Sequence, residues 1–73
     1  MGSKDEVIGK CLLSNLLERS KMTQVDLSVI TGISKQQLNR YINSDNGAMS
    51  LSNARLISKA LNCKIEDLYE WKV

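Results

Sequence analysis

Apolar residues recur along this chain at helical spacing, and residues that cap or end helices punctuate them. Ile8, Leu12 and Leu16 stand four apart, and Cys11, Leu13 and Leu17 widen the stripe. A stripe of that width is the inward face of an amphipathic helix, predicted from about Asp5 to Ser20. Asp5 and Glu6 in its first turn, with Arg19 and Lys21 near its end, match the helix dipole.

A second helix opens at Thr23, where Thr23 and Asp26 have capping-box spacing. Leu27 and Ile30 are expected to point inward. Gly32 follows Thr31, where a helix end wants a residue that tolerates positive φ. Ser34 and Gln37 then repeat the box, and a third helix runs to about Ile42 with Leu38 and Tyr41 facing in. Two caps around one glycine leave a turn of only a few residues, which is the joint of a helix-turn-helix. Asn43-Ser44-Asp45-Asn46-Gly47 reads as a loop, because these residues favour turns. Ser50 caps a fourth predicted helix from Leu51 to Leu61, burying Leu51, Ala54, Ile57 or Leu56, and Leu61, with Asn62 left-handed at its end. A fifth, short helix is expected from about Ile65 to Trp71, burying Ile65 and Leu68.

Composition narrows the picture. With 73 residues there is room for one domain and one modest core. Proline and phenylalanine are absent while Leu, Ile and Val abound, which suits short packed helices. Ten basic and eight acidic residues leave a formal charge of +2, so any basic surface must come from arrangement. No apolar run is long enough for a signal peptide or membrane span, and the expected compartment is the cytoplasm. Met1, Gly2 and Ser3 resemble a cloning remnant, and residues 1–6 are expected to be a flexible N-terminus. Glu6 breaks the myristoylation pattern. Cys11 and Cys63 have no CxxC spacing and no histidine to complete a metal site, so core packing is their expected role, ahead of a disulfide or redox one. The chain has no nucleophile–base constellation and no Gly-rich phosphate cradle, so an enzyme is not expected.

The stretch from Thr23 to Tyr41 resembles the helix-turn-helix of the phage repressor and Cro family. Leu27 anchors its first helix, Ser28 is small where the next helix crosses closely, Gly32 makes the turn, and Ile33, Leu38 and Tyr41 fill the joint. Leu51 to Tyr69 is similar to that family's following helices. The departures are Lys64, where the last helix usually has a Ser or Thr cap, and a loop after Ile42 without the lysines many members carry. The resemblance implies an all-α, five-helix, lambda-repressor-like domain over residues 7–71. It implies sequence-specific binding of double-stranded DNA by a transcriptional regulator, with repression the expected sense, and no metal, cofactor or small-molecule ligand.

In such a domain the motif's second helix enters the major groove with its N-terminal half towards the bases. The residues this assigns to base edges are Lys35, Gln36, Asn39 and Arg40. Gln and Asn can pair with adenine, Lys and Arg with guanine. Gln24, at the mouth of the preceding helix, is implied to clamp a phosphate, where free N–H groups attract anions. Ser34 and Gln37 share phosphate and capping roles, and Asn43, Ser44 and Asn46 can donate to phosphate from the loop. The family also implies two-fold dimers with recognition helices one DNA turn, about 34 Å, apart. Tyr69, Trp71 and Val73 are the candidate contacts, unless Trp71 caps the core against the first helix. The competing reading is a protein-interaction module on the same fold, such as an antitoxin-like partner binder.

Overall fold

The computed structural model describes residues 7–43 and 49–72. Among them are four α-helices: α1 (Leu13–Arg19), α2 (Gln24–Thr31), α3 (Lys35–Asn43) and α4 (Leu51–Ala60). Around the helices, β1 (Ile8–Cys11) pairs antiparallel with β2 (Tyr69–Trp71), and a 3₁₀ turn at Ile65–Leu68 leads into β2. Every helix and the 3₁₀ turn contributes one aliphatic side chain with no exposed surface: Leu13, Leu27, Leu38, Ile57 and Leu68. Burying each is worth about 1.5–3 kcal/mol, so these five side chains are the centre that the elements share.

The helix-turn-helix forms where the caps place it. Thr23 Oγ1 accepts the Asp26 N–H at 3.1 Å, and Asp26 Oδ2 accepts the Thr23 N–H at 3.0 Å. Gly32 ends α2 at φ 78°, its N–H donating to the Ser28 carbonyl. Ser28 is half-buried, and its hydroxyl donates to the Ile33 carbonyl at 2.6 Å. The Thr31 hydroxyl donates to the Leu27 carbonyl at 2.8 Å and accepts the Ile33 N–H at 3.1 Å. These side chains satisfy the backbone of a turn too short to satisfy itself. Ser34 Oγ then starts α3 by accepting the Gln37 N–H at 3.1 Å.

Both ends of the chain depart from the five-helix expectation. The helix predicted from Asp5 begins only at Leu13, and Ile8–Cys11 is a strand. Val7 and Ile8 are β-branched and Gly9 is a poor helix former, so the local preference is extended. The fifth helix, predicted to reach Trp71, is one 3₁₀ turn followed by β2. Each segment supplies the hydrogen bonds the other lacks. Ile8 lies opposite Trp71 and Cys11 opposite Tyr69, so β1 carries one extra residue as a bulge. Lys72 N–H donates to the Val7 carbonyl at 2.9 Å, and Leu12 N–H to the Leu68 carbonyl at 2.8 Å. Asp5, Glu6 and the rest of residues 1–6 lie outside the described residues.

Helix ends follow local chemistry. Asn62 has the expected positive φ, 56°, and Lys21 shares it at 54°. Each closes a Schellman turn, with Cys63 N–H on the Ser58 carbonyl and Met22 N–H on the Leu17 carbonyl, both at 2.9 Å. The unusual Lys64 leaves the 3₁₀ turn capped, because Asp67 Oδ2 accepts the Lys64 N–H at 3.0 Å. Two predicted core positions are corrected. Ile30 is 59% exposed, because α2 turns Leu27 inward and leaves Val29 and Ile30 outside. Leu51 is 76% exposed at the first residue of α4, before the buried run of Ala54, Ile57 and Leu61. Ile57, not Leu56, takes the buried place.

Cys11 and Cys63 are free thiols, the first buried and the second packed against the core. Burial pushes both thiols above their ordinary pKa, and at Cys63 the Asp67 carboxylate adds to it. Trp71 rests on the 3₁₀ turn, its Nε1 donating to the Glu66 carbonyl at 2.6 Å. Among the described residues no helix is long and apolar enough to cross a membrane.

Candidate nucleic-acid interface

One face of α3 is core and the other is polar. Leu38 and Tyr41 are buried, while Lys35, Gln36, Asn39 and Arg40 are exposed. Residues three and four apart share a helix face, so these four form one continuous stripe over about a turn and a half. The stripe carries two cations and two amides, a set able to donate to base edges or phosphates. Asn43 extends it by a further turn, and its Nδ2 donates to Asn39 Oδ1 at 2.9 Å.

Of the candidate phosphate ligands, Gln24, Ser34, Gln37 and Asn43 fall within the described residues. Gln24 is the first residue of α2 and is half-buried. In that first turn the capping box occupies the N–H groups of Thr23 and Asp26, which leaves the Gln24 and Val25 N–H groups for an outside acceptor. Ser34 is exposed and Gln37 half-buried, and the bond between Ser34 Oγ and the Gln37 N–H gives both a structural duty at the start of α3. Ser44, Asp45 and Asn46 lie outside the described residues.

What holds the stripe at a fixed angle was only partly visible beforehand. The buried Tyr41 hydroxyl accepts from Asn53 Nδ2 at 2.8 Å and so ties α3 to the first turn of α4. Ser50 Oγ in turn accepts the Asn53 N–H at 3.2 Å. Asn53 was not among the predicted residues; the signal for it is that a buried tyrosine hydroxyl needs a partner. A second tyrosine does similar work, since Tyr69 Oη accepts the Met49 N–H at 3.1 Å and anchors the chain entering α4 to β2. Tyr69 is buried and therefore unavailable to a partner subunit, whereas Trp71 is 45% exposed. Val73, the other candidate, lies outside the described residues. Among the described residues no group of three metal-ligating side chains comes together.

A family model of the Cro/C1-type HTH DNA-binding domain matches residues 12–73. Two proteins of Bacillus subtilis (strain 168) are similar to the chain. The SPbeta prophage-derived uncharacterized HTH-type transcriptional regulator YopS is 47% identical over 66 residues, covering 90% of this chain and 89% of that protein. The SPbeta prophage-derived uncharacterized HTH-type transcriptional regulator YotL is 34% identical over 59 residues, covering 81% and 74%.

Proposed function

Because the chain belongs to the Cro/C1-type HTH DNA-binding domain family, we propose that it is a sequence-specific transcriptional regulator which reads its operator with α3 in the major groove. Double-stranded DNA is its partner, and that family is a DNA-binding class, not an enzyme class. The names of its two prophage relatives support regulation of transcription, and repression, by occlusion of a promoter, is the sense proposed here. A DNA partner puts its work in the cytoplasm, and the binding unit is residues 7–71.

The observation that carries this reading is the exposed stripe Lys35, Gln36, Asn39 and Arg40 over buried Leu38 and Tyr41. These four read bases. Gln24, Ser34, Gln37, Asn43, Ser44 and Asn46 hold the backbone phosphates on either side, fixing register without reading sequence. One such module touches few base pairs, so two copies on a two-half-site duplex supply the specificity, with Trp71 as the exposed aromatic contact.

Selection of bound sequences from a random DNA pool, followed by affinity measurements at several salt concentrations, tests the proposal. A defined motif is expected, together with salt-sensitive binding to random duplex. Absence of both overturns it. The partner-binding reading has one observation in its favour: Val25, Val29 and Ile30 expose 51%, 79% and 59% of their surface on the outer side of α2. It becomes the better account if no duplex binds.

A further inference from the structure

Asn43 closes α3 and donates from Nδ2 to Oδ1 of Asn39, one turn earlier, at 2.9 Å. Both side chains are exposed, so this bond adds little to the core. Its consequence is directional. The two ends of an amide have nearly the same shape, and a half-turn of the side chain exchanges an acceptor for a pair of donors. With its oxygen turned towards Asn43, Asn39 presents its NH₂ group on the other side. We infer that Asn43 is a positioning residue that sets Asn39 as a hydrogen-bond donor towards the bases, an inference that rests on α3 being the recognition helix.

The major-groove code then limits what Asn39 prefers. Guanine N7 and O6, adenine N7 and thymine O4 are acceptors, whereas cytosine presents only its amino donor. Asn39 so held favours a base with an acceptor and disfavours cytosine. Its neighbours on the stripe agree, because Lys35 and Arg40 can only donate. Gln36 alone keeps an amide free to turn either way. The preferred half-site is therefore rich in acceptor edges, above all guanine, on the strand facing α3.

The test compares complete base-preference profiles for wild type, Asn39→Ala, Asn43→Ala and Asn43→Asp, using affinities for every single-base variant of the selected site. Asn39→Ala is expected to flatten the preference at one position by roughly tenfold. Asn43→Ala should reduce discrimination at that same position by about threefold, because the amide is freed, not removed, beside a uniform loss on all duplexes from its phosphate contact. Asn43→Asp has a carboxylate that only accepts, so it draws the NH₂ of Asn39 and turns the oxygen outward. Preference at that position then moves towards cytosine or adenine, on top of a uniform loss from the added negative charge. If Asn39→Ala flattens the position while Asn43→Ala leaves the profile unchanged or weakens all duplexes alike, Asn43 is not a positioning residue and the inference is overturned. If Asn39→Ala itself leaves the profile intact, the assignment of Asn39 to base reading falls, and the inference falls with it. Thermal melts of the four proteins should differ only slightly, since neither side chain is buried, with Asn43→Asp the lowest because its charge meets the negative end of α3.

Discussion

Gly32 and Gly9 are required for opposite physical reasons, and substitution separates them. At Gly32 φ is +78°, yet an added Cβ would meet no heavy atom within 4 Å. Alanine there costs backbone strain alone, roughly 1–2 kcal/mol for an L-residue in the left-handed region. The stiffer unfolded chain offsets about 0.4–1 kcal/mol of that, leaving a net loss near 1 kcal/mol. Gly32→Asn should lose about half as much, because asparagine visits that region more readily. Gly9 has no such dihedral, but its Cβ would stand 3.0 Å from the Glu70 carbonyl oxygen and 3.1 Å from Glu70 Cβ. Backbone of the paired strand cannot swing aside as a flexible side chain can, so Gly9→Ala costs about 1–3 kcal/mol and Gly9→Asn no less. Urea unfolding reads all four variants. With a slope near 1 kcal/mol per molar for so small a domain, Gly32→Ala lowers the midpoint by about 1 M. D-alanine at position 32, introduced by chemical synthesis, should unfold at or above the wild-type midpoint. Equal losses for L- and D-alanine would show that the dihedral is not the cause. A wild-type midpoint for Gly9→Ala would show that the bulge opens freely.

The division between reading and positioning predicts that Gln36→Ala and Arg40→Ala each lose roughly 1–3 kcal/mol on the preferred site and relax one base position, whereas Gln24→Ala weakens binding to all duplexes by similar factors. The reverse pattern in affinities across single-base variants sinks the assignment of α3. Ser28→Leu removes the 2.6 Å bond to the Ile33 carbonyl and overfills a half-buried site, so denaturation should show a loss of roughly 1–3 kcal/mol or more; a loss below about 0.5 kcal/mol would mean the joint is loosely packed. Burial holds the Tyr69 phenol above its ordinary value of about 10. The folded state therefore keeps its proton longer than the unfolded one, and that contribution is complete below pH 10 and lost as pH rises through the folded value. Thermal melts between pH 9 and 11 should fall more steeply for wild type than for Tyr69→Phe, and parallel slopes would refute the coupling.

The helix-turn-helix was legible because its determinants are local. Thr23 with Asp26, Gly32, and Ser34 with Gln37 each act over four residues or fewer: the first pair closes both bonds of its box, Gly32 makes the turn, and Ser34 accepts the Gln37 N–H, one of the two bonds its box predicts. The ribbon was not legible, because its determinants are split between the ends of the chain. Apolar residues at 8, 12 and 16 match a helix, and nothing near them announces Tyr69–Trp71 as a pairing partner. A local clue existed in Val7-Ile8-Gly9, where two β-branched residues precede a glycine inside a predicted helix. Ile30 and Leu51 failed for another reason. Period places a residue on a face but does not say where the neighbouring element stops covering it. The stripe on α3 follows from Leu38 and Tyr41 facing in, while the Tyr41–Asn53 tie joins residues twelve apart, with no local pattern to announce it.

That tie bears on how so lightly charged a chain can be selective. With a formal charge of +2, and only Lys35 and Arg40 as cations on the stripe, few counterions would be released if the stripe meets DNA as proposed. If both cations also touched phosphate, the salt slope would be about −2, or about −4 for a bound pair, far from the steepest DNA binders. On the proposed reading, attraction to DNA of any sequence would be correspondingly weak, and much of the discrimination would fall to Gln36 and Asn39, neutral amides that are rewarded only in good geometry. Amides on a helix free to rock would gain little from any base. The sequence counters this by fixing α3 at both ends: Ser28 and Thr31 bind the turn before it, and Tyr41 binds α4 after it. On the proposed reading, a firmly tied α3 and a low net charge would work together, with little gained from the phosphates and much from the base edges.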